Sequence, residues 1–428
     1  MKEELILPPE GYEHYETEYM DDMGFRAFAK RPKAGFVPEA VPEPADPADY
    51  RVEKSALEAA SGGRNTLLFD DLGLPSVMVR IPMFLWSDVL EGAPEEPCSA
   101  FVVGGRVLEE IYISKYLNVV RYGRGYSLPG RNPAAMYTRD EMKRLCAAKG
   151  PGWHLMSNAE YMALAFWCRK NGFYPHGNNL GGKDVFFPHE HGTRVYMGSF
   201  RGHTKVMHMW PTLTGTGPDT WTHDGSPYGV ADLVGNLWDT LAGLRVLNGE
   251  INIIPDNDSA MNVDEGPDSP CWRAILPDGS LVAPGTPGTY KIDALTPGIE
   301  TEDFVNLNCG FLLSTELRHP HYCGGSKNLT HRAYTMTPFA EMTHAPDAAP
   351  NLRILELGMY PVEHMQRYPN FFLRNYGERM LCRGGSWFDH RTMSMFEIYM
   401  REERSWIAQD IGFRACYAGP VEETLSQC

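Results

Sequence analysis

The chain has 428 residues, of which 43% are hydrophobic and 11% aromatic, which is enough apolar material for a packed core. Its formal net charge of −16 disfavours binding to nucleic-acid phosphates and adhesion to anionic membranes. No apolar run approaches the roughly 20 residues that span a bilayer, so we expect a globular protein with no nucleic-acid partner and no membrane insertion.

The N-terminal part, residues 1–65, differs from the rest of the chain. Its stretch RPKAGFVPEAVPEPADPADY, residues 31–50, is rich in proline, alanine and acids and predicts an extended arm or linker. The start of the chain has no apolar h-region of a signal peptide, so we expect synthesis in the cytoplasm without Sec-type export. The nine cysteines include no CxxC pair, and we expect mostly reduced, buried thiols.

Ordered structure is predicted to begin near residue 66. Val77, Val79 and Ile81 alternate with other residues in a strand-like period of two, and residues 107–120 form a second strand candidate. Two helices follow. Thr138 is placed as the N-cap of the first, and Ser157 with Glu160 forms the capping box of the second, which ends at Gly172.

Beyond residue 200 the pattern indicates short strands, turns and long loops, in keeping with the 42 glycines and 33 prolines. Residues 246–305 and 315–380 are interpreted as insertions that carry hairpins. With few helices and many short strands, the chain is predicted to be of the α+β class, with one domain over residues 66–428.

The C-terminal stretch RGGSWFDHRTMSMFEIYMREERSWIAQDIGFRACY, residues 383–417, has two ends typical of a rigid framework. Two glycines allow backbone geometry or close packing that a Cβ would block. Trp387, Trp238 and Phe413 are candidate apolar pins, and Arg414 is placed to hydrogen-bond loop carbonyls. Cys382 and Cys416 lie in the framework and are predicted to be structural thiols.

The interior of this stretch does not suit one buried strand, because five charged residues would be buried with it. It does suit loops and short strands with an outward face. Alternation then predicts Phe396, Ile398 and Met400 inside. The side chains predicted to face outward, a combination typical of recognition surfaces, are Phe388, His390, Tyr399, Arg401 and Trp406. The alternative is that these side chains only cover the core.

Four blocks in order carry a resemblance to a known superfamily: SVMVRIPMF at 76–84, GWHLMSNAEYMALAFWCRKNG at 152–172, YGVADLVGNLWD at 228–239, and RGGSW to IGFRACY at 383–417. Together they resemble the sulfatase-modifying, formylglycine-generating-enzyme superfamily. The resemblance implies a C-type-lectin-like fold of the formylglycine-generating-enzyme type. The enzymes of that superfamily bind copper through two cysteines, whose positions here hold Asp389 and Ser394. Neither is a soft thiolate ligand, so we expect no copper and no formylglycine-type catalysis.

The same resemblance implies a calcium site in DLVGNLWD. The matching groups are the side chains of Asp232 and Asp239 and the main-chain carbonyls of Gly235 and Leu237. An all-oxygen set with two carboxylates suits Ca²⁺. The alternative is that the two aspartates cap turns.

The spacing from RGGSW to Arg404, Ser405 and IGFR resembles the variable region of proteins diversified by retroelements in phages and prophages. In those proteins an error-prone reverse transcriptase changes selected codons while the framework is kept. The positions implied to be diversified and to contact ligand are Phe388, Asp389, His390, Thr392, Tyr399, Arg401, Glu402, Trp406, Ala408 and Asp410.

The resemblance therefore implies a receptor-binding protein of a phage tail or a prophage adhesin, located on the virion or a cell surface. Its ligand would be a bacterial surface protein or glycan, its N-terminal arm would attach to other virion proteins, and a homotrimer is plausible. Two alternatives stay open. One is a structural virion protein, and the other is an enzyme of the same superfamily that uses His390, Asp389 and Arg391 as acid–base groups.

Overall fold

The computed structural model describes residues 12–20, 26–32, 40–195, 211–297, 309–320, 335–365, 368–389, 391 and 393–420. The described helices are α1 (Arg51–Ser61), α2 (Trp86–Val89), α3 (Arg139–Ala147), α4 (Asn158–Asn171) and α5 (Leu352–Glu356), with single 3-10 turns at Pro47–Tyr50, Ser99–Phe101, Asp219–Trp221, Asp258–Met261 and Phe339–Glu341. None of the described helices is both long and apolar enough to cross a bilayer.

The described strands are β1 (Tyr12–Met20), β2 (Arg26–Pro32), β3 (Asn65–Phe69), β4 (Pro75–Pro82), β5 (Val102–Val103), β6 (Arg106–Val107), β7 (Glu110–Ser114), β8 (Asn118–Arg121), β9 (Arg124–Ser127), β10 (Trp153–Leu155), β11 (Trp238–Leu247), β12 (Glu250–Ile253), β13 (Arg273–Ile275), β14 (Leu281–Val282), β15 (Lys291–Ala294), β16 (Phe311–Ser314), β17 (Thr335–Pro338), β18 (Thr343–His344), β19 (Asn370–Leu373), β20 (Glu378–Arg383), β21 (Ile398–Met400), β22 (Ile411–Gly412) and β23 (Ala415–Tyr417). Strands outnumber helices, so the prediction of an α+β protein is confirmed.

Two sheets carry most of the fold. A five-stranded sheet has the order β10-β23-β7-β4-β3, and a twelve-stranded sheet has the main path β17-β19-β21-β20-β11-β12-β15-β16-β18. The C-terminal segment joins them, because β22 pairs with β11 of the large sheet and β23 lies between β10 and β7 of the small one. The framework ends of residues 383–417 are therefore part of both sheets.

The two predicted helices are confirmed with their caps. The Thr138 hydroxyl accepts from the Glu141 amide, and the Ser157 hydroxyl accepts from the Glu160 amide, each in a complete capping box. Gly172 ends α4 in the left-handed conformation with φ +71°, which a glycine adopts without strain.

The predicted strand over residues 107–120 is wrong as one element. It is broken into β7, which belongs to the five-stranded sheet, and β8, which forms a two-stranded sheet with β9 among the described residues. Residues 115–117 turn between them, and the Lys115 ammonium in this turn is held by the Asn65 side-chain oxygen.

The predicted arm and insertions are more integrated than the sequence suggested. Residues 51–61, within the predicted arm, form α1, and its Glu58 carboxylate accepts from the Thr66 hydroxyl on β3 at 2.6 Å. Strands β12 to β15 and β17 to β19, within the predicted insertions, pair into the large sheet. These segments extend the sheet because each offers backbone partners to an edge that would otherwise be open.

Candidate functional site

The entry to the C-terminal stretch is a tightly packed turn. Arg383 is fully buried, and its guanidinium donates to the Asn158 side chain at 2.9 Å and to the Leu357 carbonyl at 2.9 Å. Gly384 and Gly385 follow with φ +90° and +85°, in the region that favours glycine. Glycine is needed at both positions, because a Cβ at Gly384 would lie 2.3 Å from the Leu233 carbonyl oxygen and one at Gly385 would overlap the Met393 side chain.

Trp387 packs against the protein interior next to this turn. Its side chain is 3% exposed and packs with Leu117 and Leu237, and its amide donates to the Asn236 carbonyl at 3.0 Å. Trp238 and Phe413 are also buried. The prediction of three large apolar pins is confirmed.

The exit of the stretch is held by a buried ion pair. Nε of Arg414 donates to both carboxylate oxygens of Asp239 at 3.1 and 3.0 Å, and Nη2 donates to the Asp232 carbonyl at 2.8 Å. Arg414 and Asp239 are no more than 1% exposed. As the sequence predicted, this arginine hydrogen-bonds a loop carbonyl and anchors the last strand.

Two of the predicted calcium ligands, Asp232 and Asp239, are also hydrogen-bonding partners of Arg414. Both oxygens of Asp239 are engaged by the guanidinium, whose positive charge opposes a second cation at that carboxylate. Asp232 accepts from the Gly215 amide through Oδ2, and its Oδ1 has no partner within the described part of the chain. Asp239 is therefore engaged in the ion pair, while Oδ1 of Asp232 stays unpartnered in the described part of the chain. Calcium binding by these two aspartates with the carbonyls of Gly235 and Leu237 stays a prediction.

Between entry and exit, an apolar row fixes the segment to the core. Phe396, Ile398 and Met400 are buried, as alternation predicted, and the Phe396 ring meets Phe166 of α4 edge-on at 5.6 Å. Strand β21 lies between β19 and β20, parallel to the first and antiparallel to the second. The interior of the stretch is thus a central strand flanked by loops.

The predicted ligand-contacting residues fall into three groups. His390 and Thr392 lie outside the described residues. Glu402 is buried, at 7% exposure, where the sequence predicted an outward side chain. The partly exposed group comprises Phe388, Asp389, Tyr399, Arg401, Trp406, Ala408 and Asp410. We call the residues of this last group the display surface.

The backbone of residues 401–410 is anchored by its own carbonyls. The Glu402 carbonyl accepts from the Met380 amide at 3.0 Å, the Ala408 carbonyl from the Met136 amide at 3.0 Å, and the Asp410 carbonyl from the Trp238 amide at 2.7 Å. Each bond joins the loop to a framework residue through main-chain atoms. These three bonds use no side-chain atoms of residues 402, 408 and 410 and can therefore form with other side chains at these positions.

Arg404 adds a side-chain anchor to this loop. Its guanidinium donates to the Glu378 carboxylate at 2.7 and 2.8 Å, to Asp140 at 2.9 Å and to the Glu265 carbonyl at 2.8 Å. This residue was identified from the sequence only as one of a pair that resembles a family framework. Its partners are distant in sequence, so no local pattern predicts them.

Within the display surface, Tyr399 and Arg401 make contacts with framework residues and with the buried Glu402. The Tyr399 ring packs against Trp238 at 5.0 Å and Phe372 at 5.7 Å between ring centroids, and its hydroxyl bonds to Glu402. The Glu402 carboxylate also accepts from Arg374 at 3.1 Å and Arg401 at 2.6 Å. Glu402 is buried because two guanidinium groups compensate its charge.

We expect Glu402→Gln to lower the free energy of unfolding by about 2 kcal/mol at pH 7, because it removes charge-assisted hydrogen bonds. The arginines hold the pKa of Glu402 at about 2, below its ordinary 4.5, despite burial. A depressed folded-state pKa contributes stability above pH 4.5 that is lost as the pH falls towards 2. Urea unfolding at pH 7 and pH 3.5 should show a smaller difference at the lower pH.

Glu403→Gln is the matched control, since Glu403 is the exposed neighbour. Its free energy of unfolding should stay within about 0.5 kcal/mol of that of the parent. Equal effects of the two substitutions would contradict the role of Glu402.

A second polar cluster lies at the start of the display surface. The Ser386 hydroxyl contacts both the Asp389 carboxylate at 2.9 Å and the Asp410 carboxylate at 3.2 Å. Burial first, and then the charge of Asp389, raise the pKa of Asp410 to about 6. The pair is held close to the backbone turn, because the Ser386 amide also donates to Asp389.

Two of the three residues of the acid–base hypothesis, Asp389 and Arg391, lie within the described residues. Arg391 is paired with Glu397 and lies 3.8 Å from Asp389, and the third residue of the acid–base hypothesis, His390, lies outside the described residues. Cys382 and Cys416 are buried and free, as predicted, and occupy different strands. Burial raises the pKa of the Cys382 thiol to about 12, which disfavours its thiolate.

The remaining cysteines of the described residues follow the same pattern, except for Cys271. Cys98, Cys146, Cys168 and Cys309 are also free and buried, whereas Cys271 is disulfide-bonded. Cys416 lies within 4.8 Å of His154 and Glu160, measured between possible ligand atoms. These two are already hydrogen-bonded to each other at 2.8 Å, and Glu160 completes the capping box of α4. This cluster is explained by its structural role.

The comparisons with known proteins leave the family open. No model of a known protein family matches the chain. No curated protein matches it either. The arguments for function therefore come from the residues and their geometry.

Proposed function

We propose that this chain is a ligand-binding protein that presents the display surface on a C-type-lectin-like scaffold of the formylglycine-generating-enzyme type. The proposal rests mainly on one observation, the anchoring of residues 402, 408 and 410 through their carbonyls to Met380, Met136 and Trp238. Main-chain bonds of this kind can be kept when the side chains at 402, 408 and 410 change. Such an arrangement suits a site that is diversified by a retroelement.

The distribution of burial supports the same proposal. Residues 382–387 and 411–416, at the two ends, are buried without exception. Residues 403–410 between them are all partly or fully exposed. Exposed residues are thus contiguous at 403–410, whereas at 396–402 buried and partly exposed residues alternate, so we expect changes at 403–410 to carry the smaller cost in folding stability.

The contact residues are chemically suited to recognition. Phe388 and Trp406 offer rigid aromatic area, while Arg401 offers a planar donor group. A shallow surface of this kind makes weak single contacts, which many copies on one particle would multiply. We propose a bacterial surface protein or glycan as the ligand and a phage tail or prophage adhesin as the setting, with the N-terminal arm as the attachment to other virion proteins.

The triple substitution Phe388→Ser, Trp406→Ser and Ala408→Ser is expected to abolish adsorption of the labelled protein to intact bacterial cells. The three side chains are partly exposed, and the anchoring bonds of the loop that carries Trp406 and Ala408 use main-chain atoms. The melting temperature should therefore fall by only a few degrees. Adsorption is measured by flow cytometry on a panel of bacterial strains, beginning with the bacterium whose genome or prophage encodes the chain.

Phe186→Ser is the matched control, because Phe186 is a 65% exposed aromatic outside the display surface. It should adsorb like the parent. Unfolding of the triple variant would refute the separation of framework and contact residues. Unchanged adsorption of a folded triple variant would refute the display surface as the binding site.

A further inference from the structure

A cavity of about 420 Å³ lies away from the display residues, between α4, β4 and the loop after Trp221. Its volume is within the range of small-molecule sites, roughly 300–1,000 Å³. No residue of the display surface lines it. The cavity is therefore separate from the site proposed above.

The floor of the cavity is apolar and rigid. Leu164 of α4 and Val79 and Ile81 of β4 line it, and all three are buried in the main core. Because these side chains belong to a helix and a central strand, the floor is formed before any ligand arrives. An apolar molecule that displaces water from it gains the hydrophobic free energy of the covered area.

One wall is an aromatic pair. The rings of Trp167 and Phe173 are parallel, with an interplanar angle of 1° and centroids 5.7 Å apart. Phe173 follows the left-handed cap residue Gly172, and its amide donates to the Cys168 carbonyl at 2.9 Å, so its position is fixed by the helix end. The Phe173 side chain is nevertheless 37% exposed. A rigid, exposed aromatic at a cavity is a ready stacking surface for a flat ligand.

The polar side of the cavity carries donors. Arg64 lies over the Tyr228 ring at 4.7 Å, donating through Nε to the Ser61 carbonyl and through Nη1 to Asp224 and Ser226. Within the described residues, Nη2 of Arg64 has no hydrogen-bond partner. The guanidinium is thus held in place with one nitrogen free for an anion.

His223 supplies a second donor. Its Nδ1 accepts from the Val230 amide at 2.8 Å. Burial lowers the pKa of His223 to about 4, so the ring is neutral near pH 7 and its proton is on Nε2. The His223 ring lines the cavity and packs on Trp167, with centroids 5.5 Å apart.

The acid at the rim is already engaged. The Asp224 carboxylate accepts from the Ser226 amide at 3.0 Å, from the Ser226 hydroxyl and from the Thr222 hydroxyl, besides Arg64. Arg80, a second lining arginine, is paired with Glu110. The carboxylate of Asp224 is therefore already hydrogen-bonded, and the guanidinium of Arg64 remains as a donor group at the cavity.

We propose that this cavity binds a planar aromatic molecule that carries an anionic group. The ring stacks at Trp167 and Phe173 over the apolar floor, and the anion is placed at Arg64 with His223 as a neutral donor. The proposal does not depend on the display surface, since the two sites share no residue.

Two dyes test the two parts of the proposal. The aromatic sulfonate 8-anilino-1-naphthalenesulfonate carries both ring and anion, whereas N-phenyl-1-naphthylamine carries only the rings. Fluorescence titration of the full chain should show one site for each dye. Phe173→Ala should weaken both dyes about tenfold or more, because it removes part of the stacking wall.

Arg64→Gln should weaken the sulfonate about fivefold and leave the uncharged dye unchanged, because only the sulfonate uses the guanidinium. Phe186→Ala, another exposed phenylalanine, should change neither affinity. Melting temperatures confirm that each variant is folded. Unchanged sulfonate binding in Phe173→Ala would overturn the site, and equal effects of Arg64→Gln on both dyes would overturn the anionic ligand.

Discussion

Replacing Arg414 with methionine is expected to cost about 3–5 kcal/mol of folding stability near neutral pH, the usual cost of leaving a buried charge without its partner. Asp239 would then keep a carboxylate that is 1% exposed and has lost both hydrogen bonds from the guanidinium. The free carbonyl of Asp232 adds to the loss. Urea unfolding at pH 8 measures the effect.

The pH dependence of this effect has a definite sign. Burial raises the pKa of Asp239 to about 6 from its ordinary 3.8, and the charge of Arg414 limits that rise. A carboxyl with a raised folded-state pKa contributes most stability below its unfolded pKa and loses it as the pH rises through the folded value. Without Arg414 the pKa rises further, so the cost of Arg414→Met should be smaller at pH 5 than at pH 8.

Two further variants make the result specific. Arg318→Met removes an exposed arginine paired with Glu316 and should change stability by less than about 0.5 kcal/mol. The double variant Asp239→Asn with Arg414→Met removes the buried charge as well and should recover part of the loss. Two results would contradict the ion-pair explanation. One is a loss of unfolding free energy in Arg414→Met that does not depend on pH, and the other is a double variant that is less stable than Arg414→Met.

Gly384→Ala is expected to destabilise the fold by about 3 kcal/mol or more. The residue has φ +90°, and a Cβ there would lie 2.3 Å from the Leu233 carbonyl oxygen and 2.9 Å from the Tyr161 hydroxyl. The backbone must shift, and with it the hydrogen bond from the Gly235 amide to the Gly384 carbonyl. Chemical denaturation and the melting temperature of the purified variant measure the loss.

Gly123→Ala is the matched control for this substitution. Gly123 also has a positive φ, +70°, but nothing lies within 4 Å of the position its Cβ would take. The conformational cost alone is about 1 kcal/mol. Similar losses in the two variants would show that close packing at Gly384 contributes nothing.

The parts of the fold that were predicted from the sequence are those that local chemistry controls. The caps of α3 and α4 were predicted because a hydroxyl at the N-cap and a glutamate three residues later satisfy each other's backbone amides within one turn. Burial of Ile398 and Met400 was predicted from alternation, because successive side chains of a strand point to opposite sides.

The site was only partly predictable, because its contacts join residues that are distant in sequence. Glu402 is charged and looked exposed, yet Arg374 from another strand end compensates it in the interior. The aspartates of the predicted calcium site looked like free ligands, but Arg414, 175 residues after Asp239, occupies one of them. The aromatic cavity at Trp167 and Phe173 likewise needs β4 and the loop at His223 to form.

By itself, the sequence determined the α+β class, the two capped helices and the framework ends of residues 383–417, since these depend on propensity, periodicity and glycine geometry over a few residues. Only the tertiary structure decided which charges are buried, which side chains remain at the surface and how the loop of residues 401–410 is anchored. These outcomes depend on desolvation and on partners brought together by the two sheets, because the desolvation cost of a buried charge is offset only where such a partner is present.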